Sequence, residues 1–318
     1  MAPSDAPAES LPPLRVLVDA ADAGLHPWVH DHVPEDIRRA SLEEEIGFWL
    51  NTAAQDVGYA EGYASVAPQI GQPSEAYFDR WVPLGSGGHV LVGPRYLGRD
   101  PNLPFVGVSA SDRPLLPSDR SSLITIARER FAPFKPGFVL VWSAGPIGSW
   151  PETGSEMRQV VGSLEDLRRR VTPPQLSMKP RVDTAFYDRY RQIHDTHVSK
   201  DPGHARHARC EDEADLKELA EQGLLFDVLV DDAWAGIAAA EPDDRRGVRG
   251  ATVVELVLDH PFRGRGLGRH LSALLARQLP LSDKAFLMGT IHADNVAAYR
   301  SALGSGRLDV GGEVRIPV

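Results

Sequence analysis

Residues 260–270 read HPFRGRGLGRH, with Gly264, Gly266 and Gly268 at alternate positions. The run follows ATVVELVLD, rich in β-branched residues, and precedes LSALLARQL, whose leucines recur at helical spacing. A strand is thus expected to hand over to a helix through a glycine loop. Glycine lets the backbone take left-handed dihedrals and approach a ligand closely. The first turn of the following helix points unpaired N–H groups and the positive end of its dipole at the loop. The spacing points to an anion, a phosphate above all, held by main-chain donors. A tight turn that binds nothing is the competing reading.

At 318 residues the chain is long for one core and comfortable for two. Its net charge of −10 argues against a general nucleic-acid binder, which needs a basic face. No apolar run approaches the ~20 residues of a membrane span. The first residues, MAPSDAPAESLPPLR, lack the basic and apolar regions of a signal peptide. A lone cysteine, Cys210, permits no internal disulfide. A soluble cytoplasmic protein is expected.

Residues 1–12, rich in Ala, Pro and Ser, read as a loose tail. TPPQLSMKPR (172–181), with three prolines, is the best linker, separating a domain at 13–171 from one at 182–318. The second half reads as two helices (DTAFYDRYRQIHDTHV, EDEADLKELAEQG), strands LLFDVLVDD, AWAGIAAAEP and ATVVELVLD, the loop, a helix, strand AFLMGTIHA, helix NVAAYRSAL and strand GGEVRIPV. The class is α/β, with an α+β mixed sheet. The first half repeats part of that rhythm: strands GHVLVGPRYL, PFVGVSASD and GFVLVWSAG flank helix SDRSSLITIARERF, with RPLLP where the glycine loop would be. Either the chain is an internal duplication whose first copy lost its ligand loop, or it joins two unrelated α/β halves.

The loop fits neither dinucleotide nor P-loop templates. In G-x-G-x-x-G the third glycine would fall on Arg269 or Leu271, and no Gly-Lys-Ser/Thr follows at P-loop spacing. It does fit Arg-x-x-Gly-x-Gly, filled by Arg263, Gly264, Arg265, Gly266, Leu267 and Gly268. With the strand before, the amphipathic helix after and a downstream asparagine opening a short helix, residues 182–318 resemble the GNAT superfamily of acyl-CoA-dependent N-acetyltransferases. The resemblance implies a GNAT-like fold, with two tandem GNAT-like domains if the duplication holds. It also implies that residues 263–268 hold the diphosphate of acetyl-CoA. The strand 252–258 would splay from its neighbour so that backbone groups of Leu256, Val257 and Leu258 meet the pantetheine, an N–H near Leu256 polarising the thioester carbonyl. Asn295 would flank the pantetheine and pyrophosphate arm. Gly306 matches the glycine of the family's Gly-Phe pair, but Arg307 replaces the Phe. Ala302 stands where the family has its tyrosine acid; Tyr299, three positions earlier, is the candidate substitute, with packing as its competing role.

Acetyl transfer to an amine needs a group that removes a proton. Glu255, a carboxylate amid Val254, Leu256, Val257 and Leu258, is the candidate base; the alternative is an outward residue on a half-exposed strand. His194, His197, His204 and His207 form two H-x-x-H pairs that match no standard zinc spacing and lack thiolates, so no metal is expected. His194 or His197 is instead expected to lend polarity to an acceptor pocket. The six tryptophans need no role beyond packing. The combined expectation is an acetyl-CoA-dependent N-acetyltransferase acting on a primary amine of a small-molecule acceptor in a ternary complex. Neither nucleic acid nor membrane is a partner, and a homodimer is allowed for. The alternative is an acyl-CoA-binding sensor or interaction protein without turnover.

Overall fold

The computed structural model describes residues 11–200, 203 and 210–318. Two compact units emerge. The first runs through Glu156 and takes in Arg245–Val248 and Gly311–Val318; the second comprises Met157–Asp244 and Arg249–Val310.

In the first unit, helices α1 (Leu14–Ala23), α2 (Pro27–His32), α3 (Glu35–Phe48) and α4 (Val57–Ala64) precede strands β1 (Arg80–Pro83), β2 (His89–Tyr96) and β3 (Pro104–Ser111). Helix α5 (Arg120–Arg130) then crosses to β4 (Phe138–Ser143). β1, β2 and β3 pair antiparallel in that order, and β3 pairs parallel to β4, the connection that a helical crossover allows. Residues Gly312–Pro317 close the sheet antiparallel to β4. Val90, Val92, Val139, Val141 and Ile316 from this sheet pack with Leu123, Ala127 and Phe131 of α5 and its exit.

The second unit contains the greater part of β5 (Gly154–Ser163), then α6 (Leu164–Arg169), β6 (Leu176–Pro180), α7 (Tyr187–Lys200), α8 (Glu213–Glu221), β7 (Leu225–Val230) and β8 (Ala233–Arg245). β9 (Val248–Leu258), α9 (Gly268–Gln278), β10 (Phe286–His292) and α10 (Val296–Gly304) follow, before β11 (Leu308–Pro317) leads out of the unit. Its strand order is β6-β7-β8-β9-β10-β5, with β9 and β10 parallel and β5 antiparallel to β10. α9 buries Leu271, Leu274 and Leu275, the face that its spacing predicts. α8 ends where Gly223, at φ +74°, reverses the chain.

The molecule is α/β with mixed sheets, as the sequence predicts. The 172–181 linker is corrected: Leu176–Pro180 is β6, paired antiparallel with Val230–Phe226. Its prolines are tolerated because β6 is the last strand in the order, where one row of backbone groups needs no ladder partner. The division falls instead at Glu156/Met157. Each unit is also closed by a strand from the other half of the sequence, since β5 follows β4 in the chain but pairs with β10, while β11 follows β10 but pairs with β4. No helix among the described residues is long and apolar enough to cross a membrane.

Candidate active site

β9 and β10 pair only over Gly250–Thr252 and Phe286–Met288. β9 then runs on to Leu258, while Gly289–His292 pair with β5 on their other side. Parting begins where sequence reasoning expects it and leaves the Val253–Leu258 backbone without a β10 partner. Two of the groups expected to meet a ligand there are engaged within the chain. The Leu256 N–H donates to Glu255 Oε1 at 2.8 Å, and the Leu258 carbonyl accepts from Arg263 Nε at 2.5 Å. A thioester carbonyl would reach the Leu256 N–H only by displacing that carboxylate oxygen.

The three glycines after β9 do different work. Gly264 and Gly266 lie at φ +71° and +72°, which costs other L-residues roughly 1–2 kcal/mol each. A Cβ on either would meet nothing within 4 Å, so the loop faces open space. Gly268 opens α9, and a Cβ there would come within 2.7 Å of Ser301 Oγ, so its role is close packing. The N-terminus of α9 has no side-chain cap and no acidic residue in its first turn, leaving its N–H groups for an anion. Leu267 is buried in the core, whereas Arg265 and Arg269 are exposed. Burial pulls Arg263 below the usual arginine range, against the charges of Glu255 and Asp259. Asn295 caps α10, its Oδ1 accepting from the Ala298 N–H at 3.2 Å.

Glu255 sits at the opening with its side chain 13% exposed. Its Oε2 accepts from the Tyr190 hydroxyl at 2.7 Å and lies 3.2 Å from His194 Nε2. Both partners come from α7, four residues apart, their rings edge-on at 4.7 Å. The Tyr190 oxygen also accepts the Glu211 N–H at 2.9 Å. Burial, and then the Glu255 charge, raise Tyr190 well above the usual tyrosine range. Beside α7 lies a cavity of about 160 Å³, lined by Arg189, Gln192, Ile193, Thr196, His197, Asp259 and His260. Arg189 bridges to Asp259 at 2.6 Å across it. Sequence reasoning singled out His194 and His197 but missed Tyr190; the only signal was its i, i+4 spacing from His194.

Tyr299 is committed elsewhere. Its hydroxyl donates to Asp309 Oδ2 at 2.6 Å, and Arg158 holds that carboxylate at 2.8 and 3.0 Å. Burial, then Asp309, push the phenol up to about 12, which makes it a poor acid. Ala302, at 1% exposure, offers no hydroxyl. Among the described residues no group of three or more His, Cys, Asp or Glu is arranged to hold a metal; His204 and His207 lie outside them.

In the first unit, β3 and β4 pair in parallel only over Phe105–Gly107 and Phe138–Leu140. No glycine loop follows β3. The fully buried Asp119 carboxylate instead sits at the start of α5, accepting from Arg113 at 2.7 Å and from the Leu116 N–H at 2.8 Å. Burial would raise this acid, but hydrogen bonds from Arg113, Ser86 and Leu116 outweigh it and hold it at about 2. Where the start of α9 has no acidic residue, the start of α5 carries a buried carboxylate, held by groups that precede the helix.

Residues 186–304 match the model of the acetyltransferase (GNAT) family. No curated protein is significantly similar to the chain. Solved structures similar to it include an acetyltransferase of the GNAT family from Colwellia psychrerythraea, at TM-score 0.45 and 10% identity over 72% of this chain and 85% of that one. The GCN5-related N-acetyltransferase from Sphaerobacter thermophilus gives TM-score 0.44 and 12% identity over 83% and 95%. That from Kribbella flavida gives 0.41 and 13% over 81% and 94%.

Proposed function

Residues 186–304 form a domain of the acetyltransferase (GNAT) family, and on that premise we propose that the chain transfers an acetyl group from acetyl-CoA to a primary amine of a small-molecule acceptor in a ternary complex. The observation that carries this reading is Glu255, held by Tyr190 and His194 at the point where β9 has left β10. The residues fit the cofactor. Gly264 and Gly266 border open space, and the uncapped start of α9 offers donors suited to a diphosphate. Bound acetyl-CoA supplies the thioester carbonyl that the amine attacks. Backbone groups of Val253–Leu258 orient the pantetheine arm. Glu255 takes the proton that an ammonium must lose before or during attack, directly or through one water, while Tyr190 and His194 keep the carboxylate aimed. The 160 Å³ cavity beside α7, with Arg189 and Asp259 in its wall, suits a small polar acceptor.

The first unit is proposed to be a degenerate copy. It keeps the parting parallel strands, but RPLLP stands in place of a glycine loop and the Asp119 carboxylate at the start of α5 would repel a diphosphate. Thiol release from acetyl-CoA, measured across a panel of primary amines, tests the enzyme reading. A second reading, an acyl-CoA-binding protein without turnover, is favoured by Ala302 and by the commitment of Tyr299 to Asp309. Cofactor binding with no thiol release from any amine would select it.

A further inference from the structure

Arg307 is 6% exposed, and its Nε has no hydrogen-bond partner. The other buried arginines are matched to carboxylates: Arg38 to Asp22, Arg95 to Asp79 and Arg158 to Asp309. Arg307 has no such partner among the described residues. Burial draws it down to about 10, which still leaves it charged at neutral pH. A buried, unpaired guanidinium is expensive and needs a reason.

Its path is prepared by two glycines. A Cβ on Gly162 of β5 would lie 3.0 Å from Arg307 Cγ, and one on Gly289 of β10 would lie 2.9 Å from Nη1. In the β10–β5 register Gly162 opposes Leu287 and Val160 opposes Gly289, so the two glycines are diagonal neighbours on one face. The stem crosses β5 and the guanidinium comes to rest over Gly289. That residue is the first on β10 beyond the last pair with β9, and the Val253 side chain lies within 3.7 Å of the same Cβ position. The charge is thus delivered to the root of the opening. The Arg307 N–H also donates to the Ala302 carbonyl at 3.2 Å, which ties it to the position lacking a hydroxyl. The Arg170 guanidinium, packed on Gly306, is exposed and of the same sign.

We propose that Arg307 is a catalytic residue that receives the negative charge of the leaving coenzyme A thiolate at the opening between β9 and β10. This rests on the acetyltransferase reading above. As the amine nitrogen bonds to the carbonyl carbon, the carbon–sulfur bond breaks and its electron pair stays on sulfur. The amine proton goes to Glu255 or to water. The thiolate leaves paired with the guanidinium, without needing a proton from Tyr299.

Titration of coenzyme A bound to the full chain, followed by thiolate absorbance, tests this without turnover. In the wild type the bound thiol is expected to ionise at least about one unit below free coenzyme A titrated under the same conditions, the direction in which a neighbouring guanidinium shifts a thiol. In Arg307→Met it should return to the free value, and Arg307→Lys should fall between. Acetyl transfer by Arg307→Met should lose ~10²–10³ in kcat, as when one donor to a developing anion is removed, with KM for acetyl-CoA nearly unchanged. A wild-type bound thiol that titrates like the free one overturns the proposal even if Arg307→Met does not fold. A change confined to preference between acetyl and carboxylate-bearing acyl donors also overturns it, identifying a carboxylate site instead. Failure of coenzyme A to bind the wild type at all would count against the acetyltransferase reading itself.

Discussion

The Tyr190 hydroxyl and the Glu255 carboxylate are joined at 2.7 Å, and the tyrosine oxygen accepts the Glu211 N–H in return. This relay ties α7 to the unpaired part of β9. A carboxylate that accepts a tyrosine hydrogen bond is held in one rotamer, which a base needs if it is to meet a proton in a fixed place. The sequence shows the acid but not its clamp.

Glu255→Gln is nearly isosteric and keeps an acceptor for Tyr190. Folding and cofactor affinity should therefore persist, while turnover falls by the ~10²–10⁴ typical of a lost general base. The deficit should shrink as pH rises, because more of the amine arrives deprotonated. A pH–rate comparison of the two proteins checks this; a small, pH-independent loss would remove Glu255 from the mechanism.

Gly266→Ala and Gly266→Asp separate strain from charge. Alanine should cost about 1 kcal/mol of stability at a left-handed position, with open space around its methyl. Aspartate adds a like charge facing the diphosphate and should weaken acetyl-CoA binding by at least about tenfold beyond alanine, or ~1.4 kcal/mol. Calorimetry on both variants gives the comparison; equal affinities would show that the loop does not hold the diphosphate.

Tyr299→Phe removes the hydroxyl bound to Asp309 at 2.6 Å. The expected outcome is a loss of roughly 1.5–3 kcal/mol in stability, the range for a hydrogen bond to a charged group. Turnover should hardly change, in contrast to the ~10²–10⁴ lost with a true proton donor. Denaturant melts and kcat measured on the same preparation distinguish the two roles.

Asp119 should set an acid limit on the first unit. Because its folded value of about 2 lies below the usual 3.8, its stabilisation is complete above about pH 4 and disappears as pH falls through about 2. The shift corresponds to about 2 kcal/mol. Asp119→Asn should be less stable at neutral pH, partly because Arg113 loses its partner. The gap from wild type should close between pH 4 and 2 in acid titrations followed by circular dichroism.

Much of the second unit is legible in the sequence because its signals are local. Leu271, Leu274 and Leu275 mark one face of α9, Gly223 ends α8, and the alternate glycines after β9 announce a loop with left-handed dihedrals. The clamp on Glu255 was not legible, since Tyr190 reaches it only after α7 packs against β9. The surroundings of Tyr299 were not legible for the same reason: its partner Asp309 is near in sequence, but the Arg158 that fixes Asp309 lies on β5. The prolines around Leu176–Pro180 resembled a linker because an edge strand and a linker both tolerate proline; Leu176 and Met178 are nevertheless buried.

The traded strands bear on how such a chain can be inherited. A recombination event that parted the halves at residues 172–181 would deprive the second unit of Met157–Ser163 and of the fully buried Leu164 and Leu167, and the first of Gly311–Val318. Neither product would carry a complete sheet. Once two units have exchanged their closing strands, neither can be discarded without opening the sheet of the other.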